Sequence, residues 1–256
     1  MKLDALRREF PNVPLMALTA TANEKVVNDA IRALGMRNEY RYKSSFNRSN
    51  LHYEVRKKDG KTLDQIVDYI ASHPRESGVV YCLSRKDCEK TSEQLQLKAR
   101  QRPGCSRIRI DFYHADLDAH ERERRHREWS NGAVSVLCAT VAFGMGVDKP
   151  DIRWVAHADL PKSIEAYYQE IGRAGRDGAE AETLTLYGAE DIRFRRTQID
   201  ESLAPPERRH ADHGRLNALL GLAEALKCRR SVLLEYFGEQ AQNCGKCDLC
   251  EKPPET

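Results

Sequence analysis

The chain has 256 residues, room for one large domain or two smaller ones around a sizeable core. Hydrophobic residues at 40%, charged residues at 32% and a formal net charge of +3 exclude a wholly disordered chain, since neither weak hydrophobicity nor self-repulsion opposes collapse. Lys2, Asp4, Arg7, Arg8 and Glu9 break the apolar run that a secretion signal needs, and no later stretch approaches about 18 apolar residues, so neither a signal peptide nor a membrane span is expected.

Residues 1–34 hold one strand pattern, Leu15 to Thr21, between two helical ones, too little to close a core, and are expected to form the torn edge of a preceding domain. Short β-branched runs then recur at Gly78 to Leu83, Arg107 to Tyr113, Val134 to Thr140, Ile152 to Ala158 and Thr183 to Tyr187. Between them, helical apolar spacing covers Thr62 to Ile70, Lys86 to Leu97, Ala119 to Trp129 and Ser163 to Ile171. The alternation predicts an α/β fold, a parallel sheet with helices on both faces. Ligands of such sheets gather beyond the strands' carboxyl ends, where Ser84, Arg85, Thr140 to Asp148 and Asp159 to Lys162 fall. The paired prolines in Glu201 to Glu207 end one helical pattern. A small second domain is expected after them, with helices over Arg208 to Leu226 and Arg229 to Phe237 and a cysteine knuckle.

Gly60-Lys61-Thr62 imitates the end of a phosphate-binding loop, but Val55 stands where the first glycine is required, so it reads as a decoy. No acidic pair of the kind that holds magnesium is present, and the chain alone is not expected to cleave ATP. Tyr167 to Gly178 is more informative: the helix stops at Gly172, and Arg173 and Arg176 project from a glycine-permitted turn. A guanidinium is permanently charged and forked, which suits the charge on phosphoryl oxygens, although two solvated arginines on a surface turn would look the same. Cys228, Cys244, Cys247 and Cys250 have the spacing of a four-thiolate metal site, with zinc favoured by the polar knuckle residues and an iron–sulfur cluster as the rival. Removing the metal is expected to unfold residues from about Arg208 onward. The stretch Arg193, Arg195, Arg196, Arg208, Arg209 and Arg215 reads equally as a nucleic-acid track and as a solvated linker. His114 reads as structural, and the alternating charges of His120 to Glu128 as a solvated helix face.

In order, Leu18 to Asn23, Gly78 to Arg85, Val136 to Pro150 and Gln169 to Gly178 resemble helicase motifs III, IV, V and VI, and the chain is identified as similar to the C-terminal part of a RecQ-type helicase of superfamily 2. The resemblance implies a motor of two RecA-like lobes with ATP in the cleft between them. Residues 1–36 would be the edge of the first lobe, 37–200 the second lobe, and 201–256 a linker with a small helical zinc-binding subdomain. Arg176 would be the arginine finger, Arg173 its partner on the phosphates and Gln169 part of the link between nucleotide and DNA. Thr140, Gly144 and Gly146 would contact the DNA backbone or couple it to the nucleotide, with Asp148 and Gly146 on the nucleotide side. Thr19, Thr21, Ser84 and Arg85 would contact or couple DNA. Glycine-rich strand ends and capping threonines also occur in simple loops.

The resemblance also implies structural Zn2+ on the four cysteines, ATP and Mg2+ only with a first lobe, DNA single strands and junctions as partners, no membrane, and 3′-to-5′ unwinding in repair or recombination. The compartment would be the bacterial cytoplasm, at the nucleoid, or a eukaryotic nucleus. Motifs I and II, the aromatic-rich loop beside motif II and the winged-helix and HRDC modules are not in the sequence. Ser45 to Asn50 differs from the family's Ser-Phe-Asp-Arg-Pro-Asn at two positions, which weakens any role for Asn47. The alternatives are a catalytically inactive DNA- or partner-binding remnant and an iron–sulfur redox protein.

Overall fold

A computed structural model describes residues 4–19, 24–140 and 149–254, so Thr21, Gly144, Gly146 and Asp148 lie outside the described residues. The elements are α1 (Asp4–Glu9), α2 (Glu24–Leu34), β1 (Leu51–Lys57), α3 (Thr62–Ser72), β2 (Ser77–Tyr81), α4 (Arg85–Arg100), β3 (Ile110–Tyr113), α5 (Ala119–Ser130), β4 (Val136–Ala139), β5 (Ile152–His157), α6 (Ile164–Ile171), β6 (Ala181–Tyr187), α7 (Ala189–Asp200), α8 (Pro206–Ala223), α9 (Arg229–Tyr236) and α10 (Asp248–Glu251). Among the described residues six strands pair in parallel, in the order β1-β6-β5-β2-β4-β3.

Successive strand residues face opposite sides, so each side acquires its own apolar cluster. On one side Val80, Cys138, Trp154, Ala156 and Leu184 pack with Ile66 and Ile70 of α3 and Leu95 and Ala99 of α4. On the other, Tyr53, Val79, Tyr81, Leu137 and Val155 pack with Trp129 of α5 and Tyr167 and Ile171 of α6. The expected two-faced parallel sheet is therefore present. This second cluster runs on without a break through Leu216, Leu219 and Leu222 of α8, Leu233 of α9, and Cys228 and Cys247. The C-terminal helices and the cysteine knuckle share their core with the sheet.

Two sequence expectations change. Residues 14–19 form no strand, and Met16 and Leu18 are 80% and 86% exposed, because a strand is held by a neighbour and none of the described residues pairs with this stretch. Conversely, β1 was not expected. Its Leu-His-Tyr-Glu-Val-Arg-Lys sequence alternates buried and partly exposed positions, as an edge strand does, instead of forming a continuous apolar run.

Helix starts follow local chemistry. Ser84, Asp118 and Ser163 cap α4, α5 and α6 by accepting from the amides of Asp87, Glu121 and Ala166. Gly60, at φ +82°, and the Asp59 carboxylate, which accepts from the Lys61 amide at 2.8 Å, form the turn into α3, so Gly60-Lys61-Thr62 is a helix entry as the decoy reading expected.

Gly78 answers a packing demand. It sits opposite Trp154 on the adjacent strand, and a Cβ there would lie 2.0 Å from the indole. Gly78→Ala is expected to lower stability by about 1–3 kcal/mol through overpacking, read as a fall of several degrees in the thermal midpoint. An unchanged midpoint would contradict this close approach.

Candidate active site and metal centre

The arginine loop begins where α6 ends. Gly172 closes the helix, and Gly175 and Gly178 follow at φ +57° and +83°, the left-handed region where glycine is at ease. A Cβ on Gly175 would come within 2.5 Å of Asn50 Nδ2 and 2.7 Å of the Ala179 carbonyl, so this position is closed to other residues twice over. The backbone is seated at the amino-terminal end of the sheet: Gly175 N donates to Ile152 O at 2.8 Å, Asp177 N to Pro150 O at 3.3 Å, and Ala181 N to Asn50 O at 3.0 Å. Arg153 donates to both Asp177 oxygens at 2.7 and 2.6 Å, a contact that holds the Asp177 carboxyl below its usual range.

From this seat Arg173 is half-buried beside Tyr81, while Arg176 and Gln169 are exposed. Burial raises the Tyr81 hydroxyl and the nearby Arg173 charge opposes that rise, so Tyr81 stays protonated next to the guanidinium. Behind the loop, fully buried His157 joins Thr185 Oγ1 at 3.0 Å and Glu170 Oε2 at 2.9 Å, which ties α6 to β5 and β6 one turn before Arg173. Gln169 lines a cavity of about 490 Å³ with Lys162, Ser163, Gln198 and Arg208.

The other expected residues lie elsewhere on the sheet. Ser84 and Thr140 stand beyond the carboxyl ends of β2 and β4, exposed and buried respectively. Arg85 is exposed and forms an ion pair with Asp116. At the same edge Lys58 bridges Asp159 and Asp191 at 3.2 and 2.7 Å, and the other Asp159 oxygen accepts from the Leu83 amide at 3.0 Å, which fixes the loop leading to Ser84. The structure thus unites Gln169, Arg173 and Arg176 on one helix-and-turn, with Arg173 beside Tyr81 at the end of β2, and places Ser84, Arg85 and Thr140 beyond the carboxyl ends of β2 and β4. Thr19 lines a separate cavity of about 730 Å³ with Tyr42, Lys43, Phe46, Tyr168 and Phe237.

Half of the basic stretch is committed within the protein: Arg195 donates to Leu160 O at 2.9 and 2.7 Å, Arg209 to Asp200 O at 3.0 Å, and Arg215 to Asp212 at 2.6 Å. Arg193, Arg196 and Arg208 are exposed. His114 is buried and meets Glu89 at 2.9 Å, in keeping with a structural role.

Sequence reasoning missed Arg48 and Asn50. Arg48 donates to the carbonyls of Gly172 (3.2 Å), Ala174 (2.9 Å) and Gly175 (2.9 Å), and the Asn50 amide donates to Gly175 O and Ala179 O at 2.9 and 2.8 Å. The Ser45 to Asn50 motif around them is legible in the sequence, yet its Asn47 backbone merely donates to Ser45 Oγ at 3.0 Å. Backbone acceptors leave no mark in a sequence.

The four cysteines converge. Their sulfurs all lie within 4.8 Å of one another, with Cys244–Cys250 at 3.9 Å and Cys228–Cys247 at 4.0 Å, and no disulfide joins them. Four thiolates at about 2.3 Å around one tetrahedral ion would stand about 3.8 Å apart, so the donor set fits a single zinc ion. An iron–sulfur cluster spreads its thiolates over separate irons and needs wider spacing. The amides of Cys244 and Lys246 donate to Cys228 and Cys244 sulfur at 3.3 and 3.4 Å. The knuckle is braced on the sheet: Cys247 bridges Tyr53, Asp248 accepts from Val55 N at 3.0 Å, and buried Arg229 meets both Asp248 oxygens at 2.7 and 2.8 Å.

Residues 61–178 match the family described as helicase conserved C-terminal domain, and residues 189–251 match RecQ zinc-binding. The chain is 39% identical to an ATP-dependent DNA helicase RecQ of Haemophilus influenzae over 99% of its own length. The chain belongs to the RecQ family. Two further RecQ relatives are the ATP-dependent helicase SGS1 of Saccharomyces cerevisiae, at 40% identity over 97% of the chain, and the RecQ-like DNA helicase BLM of Xenopus laevis, at 41% over 96%. The chain spans only 39%, 17% and 18% of those three proteins. Among solved structures, S. cerevisiae Dbp5 bound to RNA and ADP BeF3 matches with a TM-score of 0.58 at 16% identity, covering 84% of this chain and 59% of that one. A DEAD box protein from Methanococcus jannaschii matches with 0.51 at 20% identity, covering 72% and 48%. At such identities these two likenesses speak for the RecA-like fold alone. Among the described residues no helix is long and apolar enough to cross a membrane.

Because α8 is buried in the sheet's own cluster, chelation is expected to unravel residues 228–251 and leave α8 folded, a shorter segment than the sequence suggested. Metal analysis should find about one zinc per chain without sulfide, and Cys247→Ser should abolish it. Iron with labile sulfide, or full zinc retention in Cys247→Ser, would contradict the site.

Proposed function

We propose that this chain supplies the second RecA-like lobe of an ATP-dependent 3′-to-5′ DNA helicase that acts in repair or recombination. In this reading residues 1–36 are the edge of the first lobe, 37–200 the second lobe, and 201–256 the linker and zinc-binding subdomain. ATP and Mg2+ bind only when a first lobe with a phosphate-binding loop and an acidic pair stands opposite. The chain's own residues then act on the phosphates as fixed positive charge. Arg176, exposed at the turn, is the finger that reaches the transferring phosphoryl group, and Arg173, held beside Tyr81, is its partner. Gln169, on the last turn of α6, links the nucleotide to DNA.

Ser84, Arg85 and Thr140 contact DNA from the carboxyl ends of β2 and β4, together with Gly144. Thr19 and Thr21 couple lobe movement to the strand, and Gly146 and Asp148 serve the nucleotide side. Arg85 must exchange Asp116 for phosphate to do so, a swap that an exposed ion pair permits at little cost. Zinc has no catalytic step here: it holds Cys228, Cys244, Cys247 and Cys250 together and fixes the knuckle on β1.

The observation that carries this reading is the pinned arginine loop in a chain of RecQ sequence. A loop serving only as a surface turn has no need of five side-chain hydrogen bonds to its carbonyls from residues more than a hundred positions away. Alone, the chain should show negligible ATPase with or without DNA. Combined with a first lobe carrying the two missing motifs, it should show DNA-stimulated hydrolysis that Arg176→Ala lowers by about 10³-fold. Undiminished turnover in Arg176→Ala, or strong ATPase from the chain alone, would overturn the proposal.

A further inference from the structure

We infer that Arg48 is a positioning residue for the arginine loop, and that residues 48–51 form a strut through which the metal-held knuckle sets that loop's geometry. The inference deepens the proposed function, on which the loop's phosphate role rests.

A guanidinium offers five donors in a rigid fork and no acceptor. Arg48, half-buried, directs three of its hydrogen bonds at Gly172 O, Ala174 O and Gly175 O, the carbonyls that flank Arg173 and precede Arg176. Asn50 adds two bonds, to Gly175 O and Ala179 O. Carbonyls pointing inward toward a shared cation fix the peptide planes, and hence the directions in which Arg173 and Arg176 leave the backbone. Lysine cannot replace this fork, because one ammonium has no planar array to span three carbonyls.

The other end of the strut is held by α9. Buried Arg230 donates to Leu51 O at 2.6 Å and Ser49 O at 3.4 Å, on either side of Asn50, and lies 5.3 Å from the centre of the Tyr53 ring. Arg230 is two residues past Cys228, and Tyr53 bridges Cys247. Upstream, Glu239, just past α9, accepts from Ser45 Oγ and the Phe46 amide at 2.7 Å each, while Phe46 stacks on Phe237 at 4.3 Å and Tyr168 Oη donates to Phe46 O at 3.1 Å. A second tie joins knuckle to loop directly, since Lys246 pairs with Glu180, two residues after Gly178. Each connection is a hydrogen bond, an ion pair or a ring contact between named atoms, so the coupling runs through touching groups.

The test is amide hydrogen exchange on the intact metal-bound chain. The loop amides of Arg173, Ala174, Gly175, Asp177 and Gly178 are all hydrogen-bonded, so they report on its opening. In Arg48→Ala, exchange over 172–179 should rise at least about tenfold while β2, β4 and β5 keep their protection. Arg48→Lys should restore little of it, and Asn47→Ala should leave the loop as in the wild type. Chelating the metal should raise exchange of the same loop in the wild type and add little in Arg48→Ala. Unchanged loop exchange in Arg48→Ala, restoration by lysine, or a uniform rise across the sheet would overturn the inference. If the alanine variant does not fold, the lysine variant decides: wild-type loop exchange in Arg48→Lys overturns the inference, and raised exchange confined to the loop upholds it. None of these readouts depends on ATP turnover, so failure of the helicase reading and failure of the strut are separately visible.

Discussion

The pairing of β1 with β6 is the constraint on which the remaining architecture hangs. Seven residues of each strand run in parallel register, Leu51 against Ala181 through Lys57 against Tyr187. An edge strand offers unpaired amides and carbonyls on its outer side, and here Cys247 bridges Tyr53, Asp248 takes the Val55 amide and Arg230 takes the Leu51 carbonyl. One strand therefore has the arginine loop leading into its neighbour and the cysteine knuckle closing its free edge. Had β1 been capped by solvent, the knuckle would have had nothing to fold upon, since four short helical residues and a few loops cannot bury a core.

That arrangement explains why the C-terminal segment behaves as part of the sheet's own core. Leu216, Leu219 and Leu222 reach the same cluster as Tyr167 and Val155, and Arg229 satisfies the carbonyls at the end of α8 while gripping Asp248. Buried arginines are costly unless every donor direction is answered. Arg229 is answered by the Asp248 carboxylate and by main-chain oxygens, Arg230 by two main-chain oxygens at one terminal nitrogen while its buried Nε finds no acceptor among the described residues, and Arg48, half-buried, by main-chain oxygens. Three guanidiniums thus organise this side of the molecule by binding backbone, whereas Arg176 remains at the surface.

Much of the fold could be read from the sequence because its strands are central. β2, β4, β5 and β6 are buried along most of their length, and their apolar and β-branched stretches, such as Val136 to Ala139 and Trp154 to Ala156, are readable in the sequence. β1 alternates, with His52, Glu54 and Arg56 on the less buried side, so it lacks the longer apolar stretch by which the central strands stand out. Leu15 to Thr21 misled for the opposite reason: its apolar residues are strand-like, but nothing among the described residues pairs with them. In the site, cysteine spacing and the glycines around Arg173 and Arg176 were legible because metal geometry and left-handed backbone restrict residue type. Arg48 was not, since carbonyl partners carry no residue identity.

The claim that the metal-bound knuckle stays docked on β1 until the sheet itself melts can be tested by heating the metal-bound chain and following two signals at once. Trp129 and Trp154, the only two tryptophans, are fully buried on opposite faces of the sheet and report its unfolding by fluorescence, while a chelating dye reports zinc release. Because a structural zinc site is held about as strongly as an entire domain is folded, the two midpoints should coincide. Zinc released well below the tryptophan transition, with the sheet still intact, would mean that the knuckle is an independent appendage and would contradict the account.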